Sequence, residues 1–156
     1  MSEKIRAILS QAEAFRALSD PETDQIASFS TIRKLEKGQR LFKEGSHASS
    51  LWVVSSGEID VRFELPARQT TEAQTISTLS ETGILGWSSL IPPYRYKLSA
   101  YCVSESCELI EINGDELVEH LKKNPELGYR VLSAMIRVVG NRFEHLQATA
   151  ENRSPL

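Results

Sequence analysis

At 156 residues, with 40% hydrophobic and 25% charged side chains, the chain has the proportions of one soluble globular domain that can bury a core without disulfide or metal staples. Its formal net charge of −3 argues against direct DNA or RNA binding, because neutralising phosphates normally takes a basic surplus. No apolar run is long enough to span a bilayer, and Met1-Ser2-Glu3-Lys4 opens an amphipathic stretch rather than an apolar signal segment. A cytoplasmic setting without a membrane partner is the expectation.

Ile5, Ile8, Leu9, Ala12 and Phe15 recur at helical spacing and predict a helix over roughly residues 3–18. Ser19-Asp20-Pro21-Glu22 combines a capping side chain, a proline in the first turn and an early acid, so a second short helix should follow and end around residues 26–29. From Thr31 the period changes. Leu51-Trp52-Val53-Val54 is a compact apolar run, Ser55-Ser56-Gly57 a turn signal, and Ile59, Val61, Phe63 and Leu65 then alternate with Glu58, Asp60, Arg62 and Glu64. The two runs predict a hairpin whose second strand keeps its charges in water. Residues 66–74 read as a loop, and short strands are expected near residues 75–79, 98–103 and 107–112.

Cys102 and Cys107, five apart in what reads as one strand region, are expected on opposite faces, as small apolar side chains forming neither disulfide nor metal site. Asn113 and Glu116 have the spacing of a capping box opening a helix to about Lys123. Asn124-Pro125-Glu126 opens a longer one to about Ala148, with Leu127, Val131, Met135, Val138, Val139, Phe143 and Leu146 as its apolar stripe. The fold class is therefore mainly β with flanking α, a sandwich, roll or barrel of about eight strands. One domain is expected over residues 1–150, helical at 1–30, β at 31–112 and helical at 114–148, followed by a flexible tail at 151–156.

Gly38, Phe42, Glu44-Gly45, Ala48, Leu51 and Ser56-Gly57-Glu58 carry a further signal. In this set the chain resembles the cyclic-nucleotide-binding domains of the catabolite activator protein (Crp/Fnr regulator) type, over nearly its whole length. The resemblance implies a double-stranded β-helix, a jelly-roll-like β-roll with N-terminal helices and a long C-terminal helix. It also implies a ligand site, a phosphate-binding cassette that corresponds here to residues 86–99. The implied ligand-binding residues are Gly86, Trp87, Ser88, Ser89, Leu90, Arg95, Lys97, Leu98 and Ser99.

Two positions depart from the family's pattern. Trp87 stands where the family has a Glu that accepts a ribose hydroxyl, and an indole has one N–H donor and no acceptor. Lys97 stands where the family has an Arg that grips the cyclic phosphate, and offers a point charge instead of a planar fork. Each lost charge-assisted hydrogen bond costs about 1.5–3 kcal/mol, so the two together weaken a cyclic nucleotide by roughly two powers of ten or more. The amides of Ser88, Ser89 and Leu90 at a helix start remain a candidate anion site, with Arg95 as a replacement cation. Alternatively, Tyr94-Arg95-Tyr96 is a surface loop and Trp87 plugs the pocket.

No resident cofactor and no metal are expected; a cyclic nucleotide (cAMP or cGMP) or another anionic small ligand is the candidate occupant. Nor are catalytic residues expected. Gly86-Trp87-Ser88-Ser89-Leu90 lacks the second glycine of a nucleophile elbow, and His47, His120 and His145 have no metal spacing. The stripe on the last helix is either core packing or half of a dimer interface; with nothing after it to cover it, a homodimer through residues 125–148 is expected. The resembling regulators continue into a DNA-reading helix-turn-helix, and this sequence ends about ten residues past the long helix, so output through a separate effector protein is implied. Two functions stay open: a regulatory sensor with a degenerate cassette, or a ligand-free scaffold for protein contacts using Trp87 and Pro92-Pro93-Tyr94.

Overall fold

Two antiparallel four-stranded sheets, in the orders β1-β8-β3-β6 and β2-β7-β4-β5, form the body of the protein in the computed structural model, which describes residues 2–153. The strands are β1 (Ser30–Glu36), β2 (Arg40–Phe42), β3 (Ser50–Ser56), β4 (Ile59–Arg62), β5 (Thr75–Leu79), β6 (Ile84–Leu85), β7 (Ser99–Cys102) and β8 (Ser106–Asn113). Helices α1 (Ser2–Leu9) and α2 (Asp20–Ala27) precede them, and α3 (Gly114–Lys123) and α4 (Pro125–Arg153) follow. This is the mainly β roll with helices at both ends that the sequence implied.

The apolar run of β3 is explained by burial on both faces. Trp52 and Val54 join Leu35, Ile59, Leu85, Ala100 and Leu109 between the two sheets. Leu51 and Val53 point the other way, into a second core with Leu9, Phe15, Ile26, Leu117, Val131 and Met135 from the helices. A strand covered on both sides reads as a continuous apolar stretch, not an alternating one.

Four sequence expectations are corrected. First, the runs at residues 51–54 and 59–65 form no hairpin: β3 pairs with β6 and β8, whereas β4 pairs with β5 and β7 in the other sheet. Gly57, at φ +85°, is the point where the chain passes between the sheets. Second, the charged face of β4 is not in water. Asp60 and Arg62 are buried and paired at 3.0 Å, and Asp60 also accepts from Thr78 at 2.7 Å and Thr75 at 3.0 Å.

Third, α1 stops at Leu9. Residues 10–18 proceed through tight turns, with Ala12 N donating to Leu9 O and Phe15 N to Ala12 O. Glu13 is drawn instead to β6, its carboxylate accepting from Ile84 N at 3.0 Å, and this tertiary bond takes precedence over continuing the helix. Ala12 and Phe15 are nonetheless fully buried. Fourth, Cys102 and Cys107 lie on β7 and β8, in different sheets, and meet as free thiols in the core between them. Burial first, and then the neighbouring Cys107 sulfur, push the Cys102 thiol up to about 11.

The helix starts follow their local grammar. Ser19 Oγ accepts from Glu22 N at 3.3 Å and the Glu22 carboxylate accepts from Ser19 N at 2.9 Å, a complete capping box. The Arg130 guanidinium reaches the same carboxylate from α4, at 3.2 Å between Nη1 and Oε1, and is the main reason that Glu22 falls to about 2. Asn113 caps α3 by accepting from Glu116 N at 3.0 Å, but the expected capping box is only half formed, because Asn113 N donates to Phe29 O instead of to the Glu116 carboxylate. α4 runs past Ala148 to Arg153, so residues 151–153 of the expected tail are helical; residues 154–156 lie outside the described part.

Candidate functional site

A cavity of about 420 Å³ opens between the sheet β2-β7-β4-β5, the turn after β6, and α4. The roll contributes Phe42, Val61, Leu79, Leu85 and Leu98, and α4 contributes Val138, Val139, Phe143 and Leu146. At 85°, the φ of Gly86 starts the turn in a left-handed conformation, and a Cβ there would lie 3.0 Å from Ser50 O and 3.1 Å from the Trp52 ring. Glycine is thus required both by its backbone angle and by the space available. Trp87–Leu90 forms a single 3-10 turn.

Of the residues implied by resemblance, Gly86, Trp87, Ser88, Lys97 and Leu98 line this cavity. The other four are placed elsewhere. Ser89 is buried and spends both its amide (3.0 Å) and its hydroxyl (2.8 Å) on Gly86 O, so the expected row of free amides loses a member. Leu90 packs against the helical core. Arg95 is exposed and fixed to Gly45 O at 2.9 Å. Ser99 donates to Glu64 at 2.7 Å and accepts from Glu44 N at 2.8 Å. Glu64 is held at about 2, chiefly by the Thr70 hydroxyl and then by that of Tyr101.

Tyr96 is no surface residue. It is buried, stacks on Phe42 at 3.8 Å between ring centroids, and its hydroxyl donates to Ser50 O at 2.8 Å while accepting from Trp52 Nε1 at 3.2 Å. Burial raises its pKa above the usual phenol range.

Sequence reasoning missed a polar clamp at the cavity edge. Arg142 of α4 bonds Glu13 at 2.9 Å and also Ile84 O, tying the helix to the N-terminal segment and to β6. Burial lowers the Arg142 pKa, with Glu13 opposing. The partners are 129 residues apart, so no local pattern could signal the pair.

The apolar side chains of α4 form two rows, and the expected stripe contributes to both. Leu127, Val131, Met135 and Val138 are buried in the chain's own core. A second row, Tyr129, Leu132, Ile136, Phe143 and Leu146, is exposed, with Tyr129 at 76% and Ile136 at 73%. With half-buried Val139 this row has the 3-4-3-4-3 spacing of a coiled-coil seam.

Residues 32–124 match the family model of the cyclic nucleotide-binding domain. The chain belongs to this family. It is 32% identical over 113 residues to the anaerobic regulatory protein of Bacillus subtilis (strain 168), a match covering 70% of the chain and 45% of that relative. The chain therefore spans less than half of this relative. Among solved structures, one described as a cyclic nucleotide-binding protein from Geobacter metallireducens GS-15 aligns with a TM-score of 0.75 at 27% identity, covering 91% of this chain and 97% of the other. A cyclic nucleotide-binding domain from Methylobacillus flagellatus KT shares the fold alone, with a TM-score of 0.79 at 21% identity over 99% and 85% of the two chains. As a cyclic nucleotide-binding domain, the chain is a regulatory domain in fold and family. Among the described residues no helix is long and apolar enough to cross a membrane.

Proposed function

We propose that this domain is a small-molecule sensor whose cavity signals through α4 to a homodimer partner and to a separate effector protein. One observation carries the reading: Val139, Phe143 and Leu146 are wall residues of the cavity and members of the α4 seam. A ligand packing against those side chains shifts the surface that they present outward, provided it binds one helix position better than another.

The reading is one of binding, not catalysis. Ser88 lines the cavity without a base hydrogen-bonded to it, and no cluster of three or more His, Cys, Asp or Glu suits a metal, both among the described residues. The proposed setting is the cytoplasm, without direct nucleic-acid contact. The degenerate cassette is supported by the positions of Arg95, Ser89 and Ser99, which leave Lys97 as its cation. The scaffold alternative is weakened because Trp87 belongs to the cavity wall, leaving Pro92 and Pro93 exposed without it.

The seam is the testable arm. In sedimentation equilibrium the wild-type chain is expected to dimerise, and Ile136→Asp to raise the dissociation constant by about 100-fold or more, since an unpaired charge enters an apolar interface. A wild-type chain that stays monomeric at tens of micromolar on this scale, or a variant that dimerises equally well, contradicts the proposed route of signalling.

A further inference from the structure

Building on the sensor reading of this same cavity, we propose that its occupant is a small organic acid with an apolar body, an aliphatic or aryl monocarboxylate, and not a cyclic nucleotide. The walls set the body. Phe42, Val61, Leu85, Leu98, Val138 and Phe143 present hydrocarbon from the sheet and from α4, and about 420 Å³ lies within the span of small-ligand pockets, roughly 300–1,000 Å³.

The free polar groups set the head. Glu13 and Arg142 pair with one another through Oε1 and Nη2, and Nη2 also bonds Ile84 O, so the two charges offset each other in the clamp. Lys97 is then the one lysine or arginine of the lining without an ion-pair partner among the described residues. Ser88 and Trp87 also line the cavity, and the Ser88 hydroxyl and Trp87 Nε1 make no hydrogen bond to the protein among the described residues. Ammonium, hydroxyl and indole N–H all donate, and the first and last cannot accept. They suit an anionic head that only accepts hydrogen bonds, as a carboxylate does.

A cyclic nucleotide makes other demands. Its ribose hydroxyl and base edge bring donors that need acceptors among the hydrocarbon walls, and a polar group buried without a partner is disfavoured. The uncharged polar side chains that remain in the lining are few, Ser77 on β5 and Asn141 and His145 on α4.

The test is isothermal titration of the full chain with octanoate, 4-phenylbutyrate, the neutral 4-phenylbutanamide and cyclic AMP. The acids are expected to bind one per chain, with 4-phenylbutyrate about tenfold or more tighter than its amide, a factor of ten being about 1.4 kcal/mol. Lys97→Ala is expected to erase that preference, bringing the affinity of 4-phenylbutyrate down to that of its amide. If the preference survives in the variant, the assignment of the head group to Lys97 is wrong and the proposal falls. Binding of cyclic AMP without binding of either acid overturns the ligand class and leaves the sensor reading standing. If none of the four binds, both fall.

Discussion

Replacing Asp60 by alanine is expected to cost about 3–5 kcal/mol of folding stability, the usual result of leaving one member of a buried ion pair without its partner. The side chains of Asp60 and Arg62 are 9% and 8% exposed and pair at 3.0 Å on one face of β4, opposite Ile59 and Val61. Asp60 also ties β4 to β5 through Thr75 and Thr78, while the Arg62 guanidinium lies 5.0 Å from the Tyr101 ring centre. Removing the carboxylate strands the guanidinium and two hydroxyls together. The double variant Asp60→Leu/Arg62→Leu should recover much of the loss, because burying the pair was itself costly. Urea denaturation reads both variants. A single-variant cost under about 1 kcal/mol would mean that water reaches Arg62 and that the pair is effectively a surface one. Val61, between the two, is part of the cavity wall, so a collapse of this strand should also remove ligand binding.

Gly57→Ala is the second large effect. A Cβ at this position would lie 2.4 Å from Ser106 O, 2.8 Å from Ser104 Oγ and 2.9 Å from Cys107 Sγ. The backbone angle adds its own cost, since φ here is +85°. A left-handed residue with a side chain costs about 1–2 kcal/mol and overpacking another 1–3 kcal/mol, so a loss of about 3 kcal/mol is expected. Gly38→Ala separates the two contributions, because its φ is +88° and no atom lies within 4 Å of the added carbon. It should lose about 1 kcal/mol, a fall in Tm of roughly 2–4 °C for a chain of this size. Equal losses at both positions would show that Ser106 and Cys107 move aside freely and that the crossing between sheets is not tightly packed.

What could be read from the sequence was local in origin. Ser19 and Glu22 meet across three residues, as do Asn113 and Glu116, and both helix starts stand where those residues place them. The glycine motif around Gly38, Gly45 and Gly57 depends on positive φ at fixed points of the chain, and it carried the fold. Alternation along residues 59–65 identified a strand, of which the structure keeps Ile59–Arg62, but alternation does not tell whether the polar face meets water or another layer of protein. It therefore concealed the Asp60–Arg62 pair. Nor does it assign a strand to a sheet, which is why β3 and β4 read as a hairpin. Of the cavity lining, Gly86, Trp87, Ser88, Lys97 and Leu98 were reachable from the sequence because they fall in one contiguous stretch. Tyr96 was hidden between two exposed cations, Arg95 and Lys97, and the Arg142–Glu13 clamp joins opposite ends of the chain. On α4 a single apolar stripe was visible where the structure has two, since one row faces the chain's own core and the other faces outward.

Coupling between cavity and seam through Val139, Phe143 and Leu146 can be measured by sedimentation equilibrium at increasing 4-phenylbutyrate and, separately, cyclic AMP. Linkage requires that a ligand favouring one helix position change the dimer dissociation constant by the same factor by which dimerisation changes its own affinity. A shift of about fivefold or more by a compound that titration shows to bind is the expected result, within the usual range of such couplings. A compound that saturates the cavity and leaves the dissociation constant where it was would show that cavity and seam are not coupled.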